Sequence, residues 1–207
     1  MAKKYSKYTI NSIEVPSVTT VLKVISKPGL EAWYGRLGIK EAERKKTEAA
    51  SFGSTVHSII EEMYSQNKKP ILPDERIRKT IKSFQEWSDA NIAEWICFEQ
   101  AVYHDELMYA GTIDAFARLK GSNKIVLVDL KTSKSVWKEY FLQVNAYAFA
   151  TRTEHKTFDL RSLEGAIIVH LDHATLNWRA VNVELSESNF SIFKAALEIY
   201  KWQNLSG

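Results

Sequence analysis

Residues 111–133, GTIDAFARLKGSNKIVLVDLKTS, constrain the fold of this 207-residue chain more than any other stretch. Gly121-Ser122 lies between two runs that read as strands, 112–119 and 125–131. A two-residue loop led by glycine suits a type II′ hairpin. If Lys120 faces Asn123 across that turn, Arg118 faces Ile125 and Asp114 faces Asp129. Directly opposed residues hold their Cβ atoms about 4.5–5.5 Å apart. Two such carboxylates are close enough to ligate one ion at the roughly 2.0–2.6 Å usual for hard cations. Lys131, two residues past Asp129, points to the same face. The run Ile125-Val126-Leu127-Val128 is apolar on both faces, as in a central strand covered on each side, and charges at its end are costly unless they are used.

Patterning elsewhere predicts one α/β domain over residues 1–207 with a basic helical part at about 1–50. Residues 8–15 read as a short hairpin turning at Asn11-Ser12, and Ser17 caps a short helix that stops near Pro28-Gly29. Helices are expected over 30–50 and 52–64, then from Asp74 with Ile77, Ile81, Phe84 and Trp87 as its buried stripe. Strands are expected at 95–103, 108–119, 125–131, 165–171 and 178–184. Residues 136–150 and the segment after Ser186 read as helices. The architecture implied is a mixed central β-sheet flanked by α-helices, with the site at one end of the central hairpin.

Other polar residues fall where they can join the two carboxylates. His57 lies in the helix FGSTVHSIIEEMY, Glu99 in the strand 95–103, and Gln143 and Tyr147 are stacked four apart on one helix face. Each also has an ordinary reading. Asp-x-Lys at a strand end is often a surface ion pair, His57 can pair with Glu61 one turn on, Glu99 can face solvent, and Tyr147 can supply core area.

Taken together and in order, His57, Glu99, Gly111-x-x-Asp114, Asp129-x-Lys131 and Gln143-x-x-x-Tyr147 resemble the motifs of the PD-(D/E)XK nucleases of the RecB-like branch. Within that branch the chain is similar to the mitochondrial genome maintenance exonuclease group and its phage and bacterial relatives. The opening PSVTTVLK (16–23), Gly53-x-x-x-His57 and DLKTS (129–133) carry that likeness, which extends from about Val15 to the last helix. The resemblance implies a restriction-endonuclease-like core. It implies that His57, Asp114 and Asp129 bind Mg²⁺ or Mn²⁺ with the Leu130 carbonyl, and that Glu99 completes the site through a water or a second ion. Lys131 would position and polarise the attacking water, while Gln143 and Tyr147 would brace the site and touch DNA. The residue types suit that chemistry: carboxylates favour Mg²⁺ or Mn²⁺, and one imidazole among them tilts the preference towards Mn²⁺. A lysine beside such an ion can act as base or as electrostatic clamp.

Charge is uneven along the chain. The net value is +3, yet residues 1–46 carry +6 and the remainder −3. Arg36, Lys40, Arg44, Lys45 and Lys46 are spaced to form one broad basic helix face, interleaved with Trp33 and Tyr34 and suited to phosphates and base stacking, although a solvated face is the ordinary alternative. Lys134, just past the DLKTS block, joins the expected DNA contacts. The single Cys97 rules out an internal disulfide and a four-cysteine iron–sulfur cluster within one chain. No apolar run approaches the roughly 20 residues of a membrane span, and the N-terminus lacks the apolar core of a signal peptide. A soluble cytoplasmic protein of a bacterial or phage-infected cell is expected. The functional expectation is a metal-dependent deoxyribonuclease, foremost an exonuclease on single-stranded DNA ends in replication, repair or recombination. A structure-specific or restriction-type endonuclease and a non-catalytic DNA-binding module are the alternatives.

Overall fold

Strand β5 (Ile125–Lys131) stands in the middle of a five-stranded sheet, as its double-sided apolar pattern requires. The computed structural model describes residues 8–122, 124–154, 163–172 and 175–204. A small hairpin, β1 (Tyr8–Ile10) and β2 (Ile13–Val15), opens the described chain. It turns through Asn11 and Ser12, both at positive φ, as a type I′ turn demands. Helix α1 (Val18–Val21) follows, with Ser17 Oγ accepting from Thr20 N at 3.1 Å, and leads into a 3₁₀ turn, Leu22–Val24. Next come α2 (Pro28–Leu37), α3 (Ile39–Ser65), α4 (Glu75–Asn91), β3 (Ile92–His104), β4 (Tyr109–Leu119), β5, α5 (Lys138–Glu154), β6 (Leu163–Leu171), β7 (Trp178–Val183) and α6 (Glu187–Asn204). The sheet order is β3-β4-β5-β6-β7; β5 and β6 run parallel, joined through α5, and the other neighbours are antiparallel. This is the mixed α/β architecture expected.

The hairpin register also agrees with expectation. Ala115 pairs with Val128 and Arg118 with Ile125, and Gly121 sits at φ +68°, where a side chain would be strained. Asn123, at the turn, lies outside the described residues. Alternation then sorts β5 between two cores. Val126, Val128 and Leu130 pack towards α3 and α4 with Ile60, Ile77, Ile81 and Phe84. Ile125 and Leu127 face α1, α5 and α6 with Tyr147, Ala148, Phe190 and Phe193. Fully burying one such large side chain stabilises the fold by about 1.5–3 kcal/mol. Asp129 and Lys131 share the parity of Ile125 and Leu127, so they stand on the α5 side.

The helix boundaries differ from expectation in the N-terminal part, where Pro28 opens α2 instead of closing the helix capped by Ser17, which ends with its 3₁₀ turn at Val24. Rather than two helices at 30–50 and 52–64, the chain breaks at Gly38, φ +76°, and α3 then runs unbroken for 27 residues. Only glycine adopts that conformation cheaply. Gly53 stays inside the helix for a different reason, namely a close approach: a Cβ there would lie 2.7 Å from Thr132 Oγ1, so the bare backbone lets α3 press against the end of β5. Arg36 therefore belongs to α2, while Lys40 and Arg44 belong to α3. In α4, Asp74 caps Ile77 N at 2.8 Å, and Ile77, Ile81 and Phe84 are buried as the stripe predicts, with Trp87 half-buried. Among the described residues, no helix is long and apolar enough to cross a membrane.

Candidate functional site

Backbone pairing between β4 and β5 stops at Ala115–Val128, and the next positions up the hairpin carry charge. The Asp114 side chain takes over from the ladder: its Oδ2 accepts from Leu130 N at 2.7 Å. A strand residue directs its N–H and C=O to the same side, so the Leu130 carbonyl leaves on the same edge. Asp114 Oδ1 lies 3.3 Å from His57 Nδ1, brought in by α3. Glu99 reaches the same place from β3. Its neighbours Phe98 and Gln100 pair with Ala115 and Ile113, which sets Glu99 across from Asp114. Glu99 holds φ at +47° in mid-strand, a conformation that costs of order 1–3 kcal/mol in a non-glycine residue and tends to sit at functional sites. One ligand atom from each of His57, Glu99 and Asp114 falls within 4.8 Å of the other two.

Asp129 stands beside this group with partners of its own. It is 1% exposed. Its Oδ2 lies 2.5 Å from Lys131 Nζ, and its Oδ1 accepts from Gln143 Nε2 at 3.3 Å. The same Gln143 amide donates to Tyr147 OH at 3.0 Å. Gln143 and Tyr147 are both buried, so they lock Asp129 from behind. The Oδ2 contact is an ion pair without a well-directed hydrogen bond, which leaves a buried carboxylate oxygen short of a partner.

Electrostatics agrees with that shortage. Burial pushes Asp129 up to about 6, with Asp114 adding to the effect despite Lys131. Burial also raises Asp114, but His57, Lys131 and the Leu130 N–H outweigh it and hold this carboxyl below its ordinary value. Desolvation disfavours the His57 imidazolium, and Asp114 more than restores it, so His57 is raised. Lys131 is likewise penalised by burial and raised overall by Asp129 and Asp114. Tyr147 is kept a neutral phenol by burial. With a neutral imidazole, two buried carboxylates share one ammonium, and Glu99 adds a third acid: the cluster lacks positive charge. A proton on His57 or Asp129 makes up part of the difference, and a hard divalent cation matches an oxygen-rich donor set with one imidazole.

Three contacts that the sequence pattern did not single out complete the surroundings. The Tyr140 ring lies 4.8 Å from Lys131 Nζ. His170, buried on β6 opposite Lys131, places Nε2 2.8 Å from the Ser133 carbonyl and so pins the turn after β5. Tyr8 OH and Thr112 Oγ1 are 2.7 Å apart, tying the N-terminal hairpin to β4 just before Asp114. The only sequence signal for His170 was a polar residue inside the apolar run AIIVHL.

Of the residues expected to contact DNA, Gln143 and Tyr147 are buried and turned to Asp129 and to each other rather than to solvent, and the other four lie on the surface. Arg36, Lys40, Arg44 and Lys134 are exposed, but Arg44 already pairs with Glu41 at 2.6 Å and with Glu48. Lys45 and Lys46 pair with Glu41 and Glu43 respectively. Arg44 is thus part of an interleaved network rather than a bare basic stripe.

No family model matches the chain. No curated protein matches it either. Among solved structures, the chain is similar to the protein SSO0001, at 16% identity over 92% of this chain and 76% of that one, with a TM-score of 0.43. It is also similar to an alkaline exonuclease, LHK-Exo, from Laribacter hongkongensis, at 8% identity over 91% and 87% of the two chains, with a TM-score of 0.48.

Proposed function

We propose that this chain is a divalent-metal-dependent deoxyribonuclease of the PD-(D/E)XK type, an exonuclease that hydrolyses phosphodiester bonds at single-stranded DNA ends. The observation that carries this reading is the convergence of Asp114, Asp129 and Lys131 at the end of one hairpin with His57 and Glu99 delivered from two other elements. A module that only binds DNA has no need of a buried lysine against clustered carboxylates. We assign Asp114, His57, Glu99 and Asp129, with the Leu130 carbonyl, to hold Mg²⁺ or Mn²⁺. The bound ion supplies a more acidic water and neutralises charge on the phosphoryl oxygens.

The remaining steps belong to the chain. Lys131, raised by its carboxylate neighbours, is an ammonium and takes the clamp role: it orients water and stabilises the charge that builds on phosphorus-bound oxygen. The water oxygen bonds to phosphorus and one of its protons passes to solvent or a neighbouring carboxylate, while the bond to the leaving sugar oxygen breaks and that oxygen takes a proton from solvent to leave as a hydroxyl. Gln143 holds Asp129 in one orientation, and Tyr147 holds Gln143. Lys134, Arg36, Lys40 and Arg44 are assigned to the DNA backbone. The likeness to the mitochondrial genome maintenance exonuclease group belongs to this proposal, as do roles in repair or recombination.

End-labelled linear and circular single strands of equal length, incubated with Mn²⁺, test the reading. Products from the linear strand alone are expected; cleavage of circles selects an endonuclease, and no metal-dependent cleavage of either rejects the nuclease reading. A second expectation concerns pH. Ligands must shed their protons before a cation binds, and here His57 is raised and Asp129 titrates at about 6. Lowering the pH from 8 to 6 therefore adds protons that Mn²⁺ must displace, and its affinity is expected to fall. Calorimetry in two buffers of different ionisation enthalpy reads the protons released. An affinity that stays constant across that range takes His57 and Asp129 out of the ligand set.

A further inference from the structure

Trp137 is 50% exposed at the point where the turn after β5 enters α5. A single exposed apolar side chain is ordinary on a protein surface; the placement of this one is not. The Trp137 carbonyl accepts from Tyr140 N at 3.0 Å, which sets this residue at the mouth of α5, and Tyr140 beside Lys131, Gln143 beside Asp129, and Tyr147 follow it at spacings of three, three and four along one side of the helix. The stripe that serves the candidate catalytic groups thus begins with an indole open to solvent. At 1.5 Å per residue, Trp137 is roughly 9 Å along the axis from Gln143, within reach of the same bound strand. Lys134 and Lys138, both exposed, flank it.

We propose that Trp137 is a base-stacking subsite: an unpaired nucleobase of the DNA strand lies on the indole face while Lys134 and Lys138 take the adjacent phosphates. This rests on the nuclease reading above and adds to it a source of strand selectivity. An aromatic face accepts any base but only an unstacked one, so a paired end must fray before it can occupy the subsite.

Binding of a fluorescent single-stranded oligonucleotide in Ca²⁺, without cleavage, tests the proposal by anisotropy. Trp137→Ala is expected to raise Kd about 5- to 150-fold, the range of one lost base stack, while Trp137→Phe keeps most of the affinity. Trp202→Ala, which removes an even more exposed indole on α6, serves as the control and leaves Kd unchanged. A strand whose bases are replaced by abasic sites is expected to bind wild type and Trp137→Ala alike. Wild-type affinity in Trp137→Ala overturns the stacking subsite and leaves the nuclease reading standing. An equal loss on the abasic strand also overturns it, because the effect then comes from disturbed structure. If the wild-type protein binds no DNA strand at all, both readings fall together.

Discussion

Lys131→Ala is expected to lower single-turnover DNA cleavage by about 10²–10³-fold, the usual consequence of deleting one preorganised donor aimed at developing charge, while Mn²⁺ binding at pH 8 persists. The separation follows from the geometry. Lys131 Nζ touches Asp129 Oδ2 at 2.5 Å, but His57, Glu99 and Asp114 assemble without it. Removing the ammonium leaves Asp129 with less positive charge around it, which favours a cation or a proton in its place; at pH 8 protons are scarce, so the cation is retained. Asp114→Ala behaves differently. It takes away the residue that links His57 to the Leu130 N–H, and both metal binding and cleavage are expected to be lost. Measuring the rate at saturating Mn²⁺ together with calorimetric affinity distinguishes the two variants. A folded Lys131→Ala protein that cuts at the wild-type rate would reduce the lysine to a buried counter-ion.

The parts of this site that alternation and turn length control were legible in the sequence. The glycine-led turn set the register that pairs Arg118 with Ile125, and parity put Asp129 and Lys131 on one face of β5. Local capping chemistry was equally readable: Ser17, Asp74 and Ser186 each accept a backbone N–H at the start of their helices. What failed depends on tertiary approach. Simple alternation sets Glu99 on the face of Cys97 and Ala101, but the positive φ at Glu99 interrupts that alternation, and no local residue choice announces it. Gly38 and Gly53 fall inside the two helices expected at 30–50 and 52–64, and they behave differently. The one that breaks the helix bends the backbone, and the other makes room for Thr132, a contact nearly 80 positions away along the chain. The ion pairs that engage Arg44 were open to the same residue-by-residue reading, since Glu41 and Glu48 lie three and four positions away.

Gly111 joins the fold to the site, and its substitution is expected to damage both. A Cβ at this buried position on β4 would lie 2.4 Å from Cε1 of the Tyr147 ring, far inside any real contact, and a tight 3.0 Å from Cδ1. The ring packs within the core shared by α5 and β4, so it cannot simply swing into solvent. Overpacking of this kind costs about 1–3 kcal/mol, equivalent to a fall in Tm of roughly 2–12 °C for a chain of this size. Because Tyr147 OH accepts from the Gln143 amide, and that amide donates to Asp129, a displaced ring also loosens the carboxylate beside Lys131. Gly111→Ala should therefore melt earlier and cleave more slowly than wild type even well below its Tm. A double-mutant cycle isolates the cause. In a Tyr147→Ala background the added methyl has room, so Gly111→Ala should cost little further stability, giving a coupling energy of about 1 kcal/mol or more. Equal costs in the two backgrounds would mean that the strand, not the ring, demands glycine, and the steric link between the Gly111-x-x-Asp114 and Gln143-x-x-x-Tyr147 motifs would be lost.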